Sequence, residues 1–423
     1  MRKTVYLYIA VVVLLALTMV NKNTFAQGNN ANLTALVDGN TDFAFKFYHT
    51  ISDQAKDNLI YSPYSLSEAF AMVYAGAQGD TELAMRKTLD YRLTQADIAS
   101  TFKLLSQDIV SRGNHTPKAA KDPLDLPRAL RIANGIWIEK TFPVKQSYQD
   151  QMKLAFDAGL QQADFGNAPD AERDKINQWV QQQTENRIKD ILPPGTLTPA
   201  TKMVLANAIY FMNAWQYPFG EQLTTSDSFF LVDGTSIQVP MMTQDEAIDL
   251  SYVKEDDADL VALPYLNSGT SMVIFMPDTG KFADFEKALD GDRFRALMSK
   301  LDTAAQQKLH LYLPRFKFEY SIDLSEPLKT LGMGVAFSGA ADFGGISDQH
   351  LEISKALQKA FIGVDEKGTE AAAATVIVMA ASLQLNPPPI LDLKIDRPFI
   401  FFIEDKTTHS ILFMGRVLRP VEE

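Results

Sequence analysis

Val364–Leu385 reads V-D-E-K-G-T-E-A-A-A-A-T-V-I-V-M-A-A-S-L-Q-L, and its two halves prefer different structures. Ala371–Ala374 is a run of the strongest helix former. Thr375–Val378 is β-branched throughout and prefers a strand. No proline interrupts the stretch until Pro387–Pro389, which end any regular element. Read as a strand, its side chains alternate between two faces. One face carries Thr369, Ala371, Ala373, Thr375, Ile377, Met379 and Ala381, small and then apolar. The other carries Glu370, Ala372, Ala374, Val376, Val378 and Ala380, with Glu370 its one charge. This suits a strand added to a sheet with one face on a core and the other toward solvent. On composition alone, a buried strand or an alanine-rich helix without a role is the favoured reading.

The rest of the chain supplies the body for such a sheet. Its 423 residues are 46% hydrophobic and 22% charged, the profile of a globular protein with a large core. A formal net charge of -12 argues against nucleic acid or an anionic membrane as the main partner. Residues 1–26 have the form of a secretory signal: Arg2 and Lys3, the apolar run Val5–Val20, and small residues up to Ala26. A retained anchor is the alternative, but the run is short for a span. The expected mature protein is therefore secreted, residues 27–423 form one domain, and no stable membrane insertion follows removal of the signal. Cysteine is absent, which excludes disulfides, thiolate catalysis and cysteine-ligated metals.

Along the chain, Asp42–Ile51 reads as an amphipathic helix. In Asn58–Leu66, Ser62 is placed to cap a helix that Pro63 begins, and Gly76–Gly79 breaks it. Asp80 or Thr81 is expected to cap the next helix, which runs to Leu89. Arg112–Asp125 is a turn-rich surface loop. Ile132–Ile138 is a strand, and Ala171–Leu192 is a helix that ends at Pro193-Pro194-Gly195. Met203–Phe211 is apolar on both faces, as in a central buried strand, and Asn207 interrupts it. A buried amide must find partners, so Asn207 is either a structural clip or part of a switch. Val239–Met242, Leu260–Tyr265, Ser271–Pro277 and Leu309–Tyr320 read as strands, followed by Asp396–Ile403 and Ile411–Val417.

Several of these segments share one resemblance. E-K-G-T-E-A-A-A-A-T, Glu366–Thr375, resembles the hinge of the reactive-centre loop in the serpins, a family of mostly protease inhibitors. The N-x-x-x-S-P-x-S run at Asn58–Ser65, the stretch Leu205–Trp215, L-P-R-F-K at Leu313–Lys317 and the C-terminal strand pair resemble serpin motifs in the same order. The resemblance spans Asn58 to the end. It implies an α+β serpin fold: a large mixed central β-sheet, further sheets, about nine helices and an exposed reactive-centre loop at about 366–392. It implies a hinge of Glu366, Lys367, Gly368, Thr369, Glu370, Ala371, Ala372, Ala373, Ala374 and Thr375. It also implies a sheet-opening region that includes Asn58, Ser62, Ser65, Asn207, Trp215 and Gln358. Gln358 stands where many serpins have a histidine. Glutamine still donates and accepts, but pH sensitivity through that position is lost.

The function so implied is suicide inhibition. A protease cuts the loop, and the loop then enters the sheet as a strand before the acyl-enzyme hydrolyses. About fourteen residues at ~3.3 Å each would carry the protease on the order of 45 Å. The expected scissile bond is Ser382-Leu383, with Ala381-Ser382 and Leu383-Gln384 as neighbours. No Arg or Lys lies between Lys367 and Lys394, which points to elastase-like or subtilisin-like serine proteases and, as a further option, papain-like cysteine proteases. The expected partner is the target protease, with no nucleic acid, and the protein is expected to be a monomer. A non-inhibitory carrier or chaperone is the alternative. A secreted hydrolase is more remote. Ser251–Lys254 matches S-x-x-K without its companion motifs, and none of the five histidines, His49, His115, His310, His350 and His409, sits in a catalytic or metal motif. No catalytic residue, cofactor or metal is assigned.

Overall fold

The structure is a computed structural model and describes residues 30–116, 126–156, 159–370 and 389–421. The helices are α1 (30–52), α2 (Pro63–Tyr74), α3 (Gly79–Thr88), α4 (Gln95–Gly113), α5 (Gln146–Ala155), α6 (Pro169–Gln183), α7 (Phe282–Ala288), α8 (Gly291–Thr303) and α9 (Ser325–Leu328). The strands are β1 (Leu59–Tyr61), β2 (Ala129–Glu139), β3 (Gly159–Ala163), β4 (Met203–Ala214), β5 (Thr225–Phe230), β6 (Ser236–Thr243), β7 (Ile248–Lys254) and β8 (Ala258–Pro264). They continue with β9 (Thr270–Pro277), β10 (Gln306–Pro314), β11 (Phe316–Asp323), β12 (Lys355–Val364), β13 (Gly368–Thr369), β14 (Leu391–Lys394), β15 (Phe399–Asp405) and β16 (Ser410–Val417).

Two sheets share the main core. The larger runs β1-β16-β15-β9-β8-β7-β10-β6-β5, with β14 beside β10. The six-stranded sheet runs β11-β12-β13-β4-β2-β3 and is mixed: β12 is parallel to β4, β2 is parallel to β3, and the other pairs are antiparallel. β4 is apolar on both faces because both are covered. Met203, Leu205, Ile209 and Phe211 join the main core. Val204, Ala206 and Ala208 lie in a second cluster with Trp137 and with Ile176 and Val180 of α6. The outer face of this sheet is therefore roofed by α6 along the lower half of β4 and does not face solvent throughout.

α2 begins as its residues dictate. The Ser62 hydroxyl accepts from Ser65 N at 3.1 Å and Pro63 fills the first turn. Four expectations need correction. α1 extends well before Asp42, to residue 30. α3 starts at Gly79 with no side-chain cap, and the Thr81 hydroxyl instead accepts from Asp342 N at 2.8 Å. α6 stops at Gln183, because Glu185 and Asn186 take left-handed φ values of 52° and 64°. Leu309–Tyr320 is two strands in different sheets, parted at Arg315, whose N–H donates to Pro240 O. Among the described residues no helix is long and apolar enough to cross a membrane. Residues 1–26 lie outside the described residues.

Candidate functional site

The site is a seam between β4 and β12. Their parallel pairing runs from Lys355 opposite Val204 to Ala360 opposite Ile209. Beyond that pair they part, and β13 fills the upper end of the gap. Thr369 pairs with Val364 on one side and Asn213 on the other, and Gly368 pairs with Ala214. The sheet is closed below and split above, with the first residues of the expected hinge already in the split.

Sequence determines how that hinge is seated. Asp365 makes the turn into it, its carboxylate accepting from Lys367 N at 2.9 Å and Gly368 N at 3.1 Å. Trp215 N donates to Lys367 O and Phe219 N to Glu366 O, both at 2.8 Å. The Trp215 indole donates to Asp365 O at 2.9 Å and stacks on Tyr265 at 4.6 Å. The hydroxyls of Tyr265 and Thr369 are hydrogen-bonded at 2.6 Å in the interior. Glu366 is 4% exposed and accepts from Thr224 and from the Arg315 guanidinium. Burial pushes its carboxyl up, but these two hydrogen bonds outweigh burial and hold it below the usual range. Lys367 points outward to Glu221 at 2.9 Å. Glu370 ends the seated segment with φ of 50°, its N–H on Gly363 O and its carboxylate 2.9 Å from Arg187. The loop is thus not exposed from its first residue, since Glu366, Gly368 and Thr369 are buried. A cavity of about 650 Å³ opens beside them between Arg187, Arg315, Lys317, Gly363 and Glu370.

Below the split, an amide clip crosses the seam. Gln358 on β12 lies in register with Asn207 on β4. The Gln358 amide donates to Asn207 Oδ1 and to Ser62 O at 3.0 Å, and accepts from Ser62 N at 3.0 Å. The Asn207 amide donates to Ser65 Oγ and to Asn134 Oδ1, and reaches Ser65 O at 3.2 Å. Asn207 is the buried clip that its place in an apolar strand implied. Ser62, Ser65 and Gln358 join it, while Trp215 sits at the split. Asn58 does not join it: its side chain ties Leu418 N and the backbone of Arg419, far along the chain. Ala371–Thr375 and the bond candidates Ala381, Ser382, Leu383 and Gln384 lie outside the described residues.

Sequence reasoning missed Asn134, Tyr265 and Thr224, and reached Arg315 only as part of L-P-R-F-K. Asn134 carried the same signal as Asn207, a lone amide in a buried strand, and the two are in register. Tyr265 and Thr224 carried none, since only the fold brings them to the hinge. Asn114, in an Asn-x-Thr triplet, has its amide engaged with Val110 O, Leu130 O, Leu130 N and Arg131. Among the described residues, no three His, Cys, Asp or Glu side chains group as a metal site.

A family model described as serpin (serine protease inhibitor) matches residues 38–420. The chain belongs to the serpin family. Human serpin B4 is 33% identical over 92% of this chain and 100% of its own length. The leukocyte elastase inhibitor of Sus scrofa is 36% identical over 90% of this chain and 98% of its own. A serpin-like protein of Methanosarcina mazei is 32% identical over 91% of this chain and 87% of its own. Among solved structures, human glycosylated kallistatin superposes with a TM-score of 0.79 at 26% identity, covering 93% of this chain and 99% of that one. Human thyroxine-binding globulin complexed with its hormone gives 0.78 at 27% identity, covering 92% and 100%. This serpin thus has the α+β fold of the family, and its kind is that of protease inhibitors rather than enzymes.

Proposed function

We propose that this serpin is a secreted suicide inhibitor of elastase-like or subtilisin-like serine proteases. The observation that carries the reading is the register of Gly368–Thr369. Extended down the seam, that register sets Thr375 opposite both Asn207 on β4 and Gln358 on β12. The Thr375 hydroxyl, a donor and an acceptor, would then stand where the two amides now bond each other. The same register turns Ala371, Ala373 and Thr375 toward the main core and Ala372 and Ala374 toward α6. Small residues pass such a slot with the least displacement of packed neighbours.

The chemistry belongs to the attacking protease. Its serine oxygen bonds the carbonyl carbon of Ser382, the Ser382-Leu383 amide breaks, and the new amine takes up a proton. The ester left behind is the acyl-enzyme. Strand entry must outrun its hydrolysis. The inhibitory name of the leukocyte elastase inhibitor and the absence of a basic residue near the bond support the target class. The basic start and apolar run of residues 1–26 support export. Thyroxine-binding globulin among the structural neighbours keeps a carrier as the second reading.

The test mixes the mature protein with elastase-, subtilisin-, trypsin- and papain-like proteases. An SDS-stable complex is expected with the first two, with release under denaturation of a C-terminal peptide that begins at Leu383. Cleavage across the panel without any complex would overturn inhibition in favour of the carrier.

A further inference from the structure

The amide clip ends on a carboxyl group. Glu68 lies on α2 and is 6% exposed. Asn134 Nδ2 donates to its Oε2 at 2.9 Å. One unbroken run of donors crosses the clip to it. Ser62 N–H donates to Gln358, the Gln358 amide to Asn207, the Asn207 amide to Asn134, and the Asn134 amide to Glu68. One chain of hydrogen bonds therefore strings together β12, β4, β2 and α2, and Glu68 is its terminal acceptor.

Among the described residues no cation balances that acceptor. The groups acting on the Glu68 carboxyl are the hydroxyls of Ser106 on α4 and Tyr64 on α2, and the Asn134 amide on β2. The titratable side chains that feel it are Tyr64 and Tyr91, both phenols pushed up by burial. Asp405, whose charge reaches Tyr64, is bound by Arg112. A buried carboxylate without a counter-charge is costly, and the neutral acid is the favoured form.

We propose that Glu68 makes the closed sheet proton-sensitive: the neutral acid is accommodated in the closed packing, whereas its ionised form, buried without a counter-charge, destabilises that packing and speeds strand entry. Burial raises this carboxyl from 4.5 to about 7, against the opposing pull of its hydrogen bonds to Ser106, Tyr64 and Asn134. Parting β4 from β12 admits water to the clip and returns the group toward its ordinary value. Opening then releases a proton. Its rate rises with pH between those two values and levels off above the higher one. The inference rests on the inhibitory reading for its use, but sheet opening is measured without a protease.

The experiment follows annealing of a synthetic peptide, Thr369–Val378, into the intact mature protein across the range from about pH 5 to about pH 8. The expected rate for the native sequence rises about tenfold or more, one decade for each pKa unit recovered on opening. Glu68→Gln is expected to give a flat profile near the slow acid limb. A flat native profile, or an unchanged slope in Glu68→Gln, would overturn the proposal. Should Glu68→Gln fail to fold, infrared spectra of the native protein decide. A protonated-carboxyl band present near pH 6 and lost on peptide annealing supports the proposal, and its absence refutes it. Failure of the inhibitory reading shows separately, as no protease complex at any pH.

Discussion

Thr369 decides how a loop starts to become a strand. It is 1% exposed, pairs with Val364 and Asn213, and shares a hydrogen bond with Tyr265. The facing Asn213 amide is also buried, with neither of its atoms hydrogen-bonded. The slot is thus polar but small. Thr369→Arg would place a guanidinium there without a carboxylate beside it. An unpaired buried charge costs about 3 kcal/mol or more, so the substituted side chain is expected to leave the split in the native state, and its return during insertion then carries that cost: ~3 kcal/mol slows entry by roughly a hundredfold. Hydrolysis of the acyl-enzyme would then win. The variant is expected to be cut as a substrate, with a steep rise in the moles of protein consumed per mole of protease inhibited. An unchanged stoichiometry in titration against an elastase-like enzyme would remove insertion from the mechanism.

At the scale of elements, the seam is held by one parallel backbone ladder, and Gln358 adds the side-chain clip across it and to Ser62. Gln358→Leu keeps the bulk and deletes the amide. It strands Ser62 N and Asn207 Oδ1 in the interior, while Ser62 O keeps its bond from Leu66 N, at about 1–3 kcal/mol for each unsatisfied group. The expected result is a lower Tm and faster conversion to an inserted or polymeric form on native gels. A variant that melts and migrates as the native protein does would show that the clip holds nothing. Much of this arrangement was legible in the sequence. β4 read as buried on both faces because both faces are apolar, and Asn207 stood out within it. Ser62-Pro63 specified a helix start by local chemistry alone. Leu309–Tyr320 misled because β10 and β11 each bury one face and each alternates; the buried positions slip by one residue, from Leu309, Leu311 and Leu313 to Phe316 and Phe318, where the chain changes sheet. The early end of α6 depends on backbone turns at Glu185 and Asn186, which no periodicity marks. Tyr265 and Arg315 reach the hinge through contacts distant in sequence, and nothing in the sequence singled out Glu68.

For the whole molecule, the seam implies a native state short of its own best arrangement. β13 occupies only the top of the split, while the edges of β4 and β12 below it bond each other in a single ladder. A strand continued through Met379 would replace that ladder with two. Ten more residues, each gaining about 1 kcal/mol from hydrogen bonds and burial, add on the order of 10 kcal/mol. The native form persists because the clip and the seated hinge must open before that gain begins, which is a kinetic stability. Unfolding entropy of about 2.1 cal/mol/K per residue, over roughly 400 residues, converts 10 kcal/mol into a Tm rise of roughly 12 °C. Limited proteolysis at the loop, followed by scanning calorimetry of the nicked chain, is expected to show a rise of this order or larger. Cleavage also separates the two functional readings, because a carrier has no need of a sheet that accepts its own loop. If nicking between Ala381 and Gln384 left the Tm where it was, this serpin would be a non-inserting one, and the seated Gly368–Thr369 pair would be a fixed edge of the sheet rather than the start of a strand.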